Sequence, residues 1–168
     1  IFMRILIVGK KSFLGGRLKE HFKNKHKVDL KSVNEIRNKN YNILIHLSGP
    51  DDLQCRKIKQ KSLKIRKTIT LKLLKYTKKN AIQFFFYIST TRVYFRENTI
   101  NEKSQLRAKN YYSKSHLTAE REIENFKLKN PDINYKILRL SNSFGYPIKK
   151  NHRHWNMIIN NICKNIFL

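Results

Sequence analysis

The sequence predicts an α/β chain built on one doubly wound parallel sheet. Three observations carry that expectation. Arg4 to Val8 (RILIV) is a short, unbroken apolar run, as a parallel strand buried on both faces requires. It passes directly into Gly9-Lys10-Lys11-Ser12-Phe13-Leu14-Gly15-Gly16 and then into a helical pattern whose Leu18 and Phe22, four apart, share a face. Further apolar runs, Tyr41 to Leu47, Gln83 to Thr90 and Asn134 to Leu140, alternate with helical stretches, the order of a parallel sheet with crossover helices.

At 168 residues, 40% of them hydrophobic, the chain has the length of one domain with a real core. The formal charge of +26 is large enough to raise a nucleic-acid reading. Against it, the lysines are spread along the whole chain and come with abundant Asn, Ile, Phe and Tyr, a drift in composition and not a concentrated patch. Nothing resembles an aromatic-basic platform on which bases stack. Non-specific adhesion to polyanions is expected; specific nucleic-acid binding is not. Cys55 and Cys163 offer neither metal spacing nor a disulfide framework and suit a reducing cytoplasm. His152 and His154, two apart without further ligands, are expected on a solvated loop, so no metal is expected. The opening run IFMRILIVG is broken by Arg4 and is too short for a signal core or a membrane span.

Element by element, strand, glycine-rich turn and helix over Arg4 to Phe22 form the context of a dinucleotide-binding turn, in which helix amides and the helix dipole approach a pyrophosphate. His26 to Leu30 (HKVDL) is the second strand, and the SVNEIRNKN that follows holds at most a reduced helix. Tyr41 to Leu47 (YNILIHL) is the next strand, and Ser48-Gly49-Pro50 ends it. Asp52 to Asn80 is expected as one long helix, acidic in its first turn and lysine-rich in its last. QFFFYIST is a fully buried strand running on through Thr91 to Tyr94. The helix that includes Asn110 to Glu120 (NYYSKSHLTAE) follows, then the strand NYKILRL and an amphipathic helix from Trp155 to Phe167.

Tyr112 and His116 are four residues apart and project from one helix face, whereas Lys114 points to another. A phenol that exchanges a proton with a hydroxyl needs its pKa drawn down from about 10, and a neighbouring cation does that. An ordinary amphipathic helix with Tyr and His in a cleft wall has the same pattern.

These segments, in this order, resemble the extended short-chain dehydrogenase/reductases, the NAD-dependent epimerase/dehydratase family that acts mainly on nucleotide sugars. YSKSHLTAE resembles the family's Tyr-x-x-Ser-Lys-x-x-Ala-Glu run at every marked position except the Lys, where His116 stands. Gly9 and Gly15 match the first and last positions of its Gly-x-x-Gly-x-x-Gly turn, with Ser12 at the middle glycine. HLSG (His46 to Gly49) resembles its His-Leu-Ala-Gly/Ala segment, and Thr90 lies three residues before the Val of Val93-Tyr94, as the family's Ser or Thr does. Arg139 to Pro147 resembles Arg-x-x-Asn-x-Tyr-Gly-Pro, with Phe144 replacing the Tyr and Tyr146 intervening before Pro147; NYKILRL itself is expected as the sixth strand. Arg66 falls where an Asn is usual, and Glu102 lies in a loop that commonly carries an acid.

The resemblance implies a Rossmann domain over residues 1–147 and, over 148–168, the start of a substrate lobe cut short, so that the chain is expected to be a fragment or a shortened product. It implies catalysis by Thr90, Tyr112 and His116, with Thr90 and Tyr112 on the reacting oxygen and His116 replacing the Lys. Activity is then expected to fall as His116 deprotonates, or to move upward in pH if Tyr112 ionises unaided. Cofactor contacts fall to Gly9, Ser12, Phe13, Leu14, Gly15, Lys31, Ser32, His46, Leu47 and Ser48, with a core role also open to His46; substrate contacts fall to Thr91 and Asn142. The acidic position that holds the adenosine ribose falls at Ser32, beside Lys31, which leans the cofactor from NAD towards NADP. A nucleotide-sugar substrate, a possible homodimer and a cytoplasmic location complete the expectation. Two other classes stay open, a catalytically silent NAD(P)-binding module and a polyanion-binding protein.

Overall fold

The computed structural model describes residues 1–37, 39–95, 99–141, 145 and 162. Among them, five strands form one parallel sheet: β1 (Arg4–Val8), β2 (Lys27–Lys31), β3 (Ile43–His46), β4 (Phe84–Thr90) and β5 (Asn134–Leu140). Their order is β2-β1-β3-β4-β5, so the chain reverses its direction of travel between β1 and β3. Alternation along the strands decides what each face meets. Ile5, Ile7 and Ile45 pack with Leu18 and Phe22 of α1 (Phe13–Phe22). Leu6, Val8, Leu44, Phe85 and Tyr87 point the other way. They are covered by Leu73 and Leu74 of α3 (Lys61–Lys79) and by Ala119 and Ile123 of α4 (Tyr111–Leu128). Burying each large apolar side chain contributes about 1.5–3 kcal/mol, which explains why both faces of β1 and β3 are apolar. The doubly wound expectation holds.

Capping chemistry sets where the helices begin. Asn110 accepts from the Ser113 amide at 2.9 Å, and the Ser113 hydroxyl accepts in return from the Asn110 amide at 3.3 Å. This reciprocal cap starts α4 at Tyr111 and leaves Tyr112 in its first turn.

Three expectations are corrected. The buried strand does not run on through Tyr94: β4 ends at Thr90, and Thr91–Val93 is a 3-10 turn. The single helix over Asp52 to Asn80 is two, α2 (Asp52–Ile58) and α3, broken where Lys59 takes a φ of 45°. No Gly or Pro marks that break. Among the described residues the strand NYKILRL is fifth and not sixth, with one 3-10 turn, Val33–Glu35, between β2 and β3. The expected lobe over 148–168 and its Trp155 to Phe167 helix lie outside the described residues, Ile162 apart, as do Asn142, His152, His154 and Cys163. No helix among the described residues is long and apolar enough to cross a membrane.

Candidate active site

A cavity of about 710 Å³ opens at the carboxyl ends of β1, β3 and β4, beside the reversal of strand order where open α/β sheets bind ligands. One wall is the turn after β1. Gly9 has a φ of 143°, and a Cβ there would stand 2.9 Å from the Leu47 Cβ, so only glycine fits. At Gly15 a Cβ would stand 3.1 Å from the Gly9 carbonyl oxygen; that glycine lets α1 approach β1 and does not itself line the cavity. Ser12, at the middle-glycine position, caps α1 by accepting from the Gly15 amide at 3.2 Å. Lys10, Lys11, Phe13, Leu14, Leu47 and Ser48 complete this wall.

His46 is corrected as a cofactor contact. It is wholly buried and outside the cavity wall. Its Nδ1 accepts from the Ser48 amide at 3.2 Å and its Nε2 pairs with the Thr70 hydroxyl at 3.1 Å, so it supports the Ser48 loop from beneath. Burial first, and Arg66 second, bring its pKa down to about 3, and the ring is neutral. Lys31 and Thr91 also stand outside the wall. Ser32 is in it, together with a residue that sequence reasoning missed, Glu35. Glu35 accepts from Lys10 at 2.6 Å and from the Ser32 amide at 3.1 Å, and these bonds, that of Lys10 foremost, hold its pKa at about 2. A carboxylate therefore stands in this wall three residues after Ser32. The Ser-x-x-Glu spacing of a capping box was the signal that could have found it.

The opposite wall brings Thr90 and Tyr112 together with Arg66, Ser89 and His116. Thr90 ends β4, and its hydroxyl accepts from the Arg92 amide at 3.3 Å. Behind it Ser89 donates to Glu120, which pairs with Arg139 at 2.8 Å, and Arg139 donates to the Tyr94 hydroxyl at 2.8 Å. The β4–β5 register sets Ser89 opposite Arg139, so this network ties both strands to α4.

Tyr112 and His116 share a face as expected, ring centroids 4.6 Å apart. The expectation that His116 titrates as a cation is corrected. Its exposure is 4%, and burial, reinforced by Arg66, holds its pKa well below the usual histidine range. Its Nδ1 lies 2.8 Å from the hydroxyl of Tyr87, a phenol that burial keeps protonated. With Tyr87 donating, the ring hydrogen sits on Nε2, which has no partner among the described residues. Tyr112 itself is pushed up by burial, against a downward pull from Arg66 and then Arg92. Arg66 is the second residue that the sequence reading left without a role. It is 3% exposed and lies 5.8 Å from the Tyr112 ring centroid.

The family model for the NAD dependent epimerase/dehydratase family matches residues 5–166. Among solved structures, a UDP-N-acetylglucosamine 4-epimerase from Methanobrevibacter ruminantium, in complex with UDP-N-acetylmuramic acid, is similar at a TM-score of 0.82 and 15% identity, over 98% of this chain and 62% of that one. TunA, an NAD-dependent NDP-hexosamine 5,6-dehydratase of tunicamycin biosynthesis, is similar at 0.80 and 19%, over 98% and 61%. RMD from Pseudomonas aeruginosa, complexed with NADPH, is similar at 0.75 and 22%, over 88% and 56%. The chain therefore spans little more than half the length of these proteins. No curated protein sequence gave a significant match.

Proposed function

The chain belongs to the NAD dependent epimerase/dehydratase family, and from that premise we propose that it serves NAD(P)-dependent epimerisation, dehydration or reduction of a nucleotide sugar, with Tyr112 as acid/base. The observation that supports this best is the single cavity joining the Gly9 turn, Thr90 and Tyr112 at the carboxyl edge of the sheet. The residues present fit a dinucleotide. The bare Gly9 and the tight Gly15 contact admit a pyrophosphate to the start of α1. The orphaned Nε2 of His116 can donate to a ribose hydroxyl. When bound, the nicotinamide supplies the hydride acceptor or donor. Tyr112 takes or returns the proton of the substrate hydroxyl, and Thr90 hydrogen-bonds the same oxygen. Thr91 and Asn142 stay the proposed further contacts to the sugar.

For the cofactor, the NADP reading leans on Lys31, outside the cavity wall, whereas Glu35 inside it can accept from ribose hydroxyls and favours NAD. RMD is solved with NADPH and a UDP-glucuronic acid 4-epimerase from Bacillus cereus with NAD, so family likeness alone supports both. A homodimer and a cytoplasmic setting belong to the same proposal. Titrating the purified chain with NADH and NADPH, followed by nicotinamide fluorescence, tests it. Saturable binding with NADH preferred is expected; no binding of either at low salt overturns it. A silent cofactor-binding module is the second reading, favoured by a neutral His116 where the family has Lys. Binding without turnover of any UDP-sugar would select it.

A further inference from the structure

Arg66 is a buried cation with no carboxylate within ion-pair distance among the described residues. Its hydrogen bonds all go to neutral acceptors. Nε donates to the Ser115 hydroxyl at 2.9 Å, Nη1 to the Ser48 carbonyl at 3.4 Å and Nη2 to the Pro50 carbonyl. Ser115 in turn donates to the backbone carbonyl of Tyr112 at 2.7 Å, so the guanidinium is tied both to α4 and to the loop after β3. That loop is shaped to admit it. A Cβ at Gly49, where φ is 141°, would stand 2.5 Å from Nη1 and 2.7 Å from Cζ. Burying a charge is expensive, and neutral acceptors offset only part of the loss. A charge held this way is suited to stabilising an anion that forms beside it.

We propose that Arg66, and not His116, is the cation that stabilises the phenolate of Tyr112, acting from α3 across the cavity wall. The proposal rests on the reading of Tyr112 as acid/base. When Tyr112 releases its hydroxyl proton to solvent and later takes one from a substrate hydroxyl, Arg66 exchanges no proton with it and only the guanidinium's field is used. Every other charged or titratable group facing Tyr112 is a poorer candidate. His116, on the same helix, is neutral. Arg92 lies 5.5 Å from the ring, but its side chain is 46% exposed and it also faces Asp52 at 3.6 Å, so solvent and a carboxylate weaken it. Asp52 and Cys55 of α2 oppose the phenolate, and Tyr87 of β4, which also feels Arg66, is a phenol that burial keeps protonated. A guanidinium does not titrate in the working range, so the site loses the pH sensitivity that a histidine cation would give it.

Ultraviolet titration of tyrosinate, as the difference between wild type and Tyr112→Phe without cofactor, reads the ionisation of Tyr112 directly. Arg66→Gln is expected to move the midpoint up by about one pH unit or more, Arg66→Lys to restore most of the difference, and His116→Gln to leave it unchanged. An unmoved midpoint in Arg66→Gln, or an equal rise in His116→Gln, overturns the proposal. If Arg66→Gln does not fold, the exposed Arg92→Gln decides. A rise below about half a unit upholds Arg66, and a rise of a full unit transfers the role to Arg92. Because no nucleotide is present, this result is independent of whether NADH or NADPH binds.

Discussion

The cavity's two walls are made of different material. The wall after β1 is shaped by its backbone, with Gly9 at a φ of 143°, Gly15 behind it against the Gly9 carbonyl, and one serine spent on a helix cap. The wall between β4 and α4 is side chain, with Arg66, Ser89 and His116 backed by the buried Tyr87 and Glu120; Tyr87–His116 and Ser89–Glu120 bonds cross from strand to helix, and Arg66–Ser115 crosses from α3 to α4. A backbone wall tolerates few residue types but asks little of its neighbours. A side-chain wall tolerates replacement only when partners change together, because each buried polar group needs its own partner. The departures on the two sides show this. Ser12 stands alone as a change in the turn, while His116 has Tyr87 as its partner and Arg66 has Gly49, Ser48, Pro50 and Ser115.

Breaking the side-chain wall is expected to be the more damaging. Glu120→Gln leaves Arg139 without its buried carboxylate and is expected to cost about 3–5 kcal/mol of stability, read from urea unfolding; a loss below about 1 kcal/mol would break the comparison. Acid acts beneath the Ser48 loop, behind the other wall. His46 is neutral when folded and its pKa is about 3, so the unfolded chain binds the extra proton first. Stability is complete above the unfolded histidine range and falls as pH drops through it. Between about pH 6.5 and 5, His46 alone removes about 2 kcal/mol, and His116 adds in the same direction. His46→Asn is expected to flatten the pH dependence of the urea midpoint. Gly9→Ala, strained by its φ and its contact with Leu47, is expected to cost about 1–3 kcal/mol and to weaken NADH binding, which separates the turn from a mere structural loop. Ser12→Ala, losing one cap bond, is the mildest at about 1 kcal/mol, measured by thermal unfolding.

The turn and the strands were legible because their signals are local. Continuous apolar runs and glycine spacing need no knowledge of distant residues, and the Tyr112–His116 face follows from four-residue helical spacing alone. The break at Lys59 was not legible, since a non-glycine residue with φ 45° is held by its surroundings and not by its own preference. Glu35 was missed because counting from the strand end looked for an acid at one position, whereas a capping turn brought one from three residues further on.

By itself, then, the sequence determined which segments are strands, where the nucleotide turn lies, and that a tyrosine and a histidine share one helical face. Only the tertiary structure decided their charge states. Burial, reinforced by Arg66, makes His116 neutral, and the packing of α3 on α4 carries Arg66, 46 positions earlier than Tyr112 in the chain, to within 5.8 Å of the Tyr112 ring. Electrostatics depends on what surrounds a group in space, and the order of residues along a helix does not contain that information.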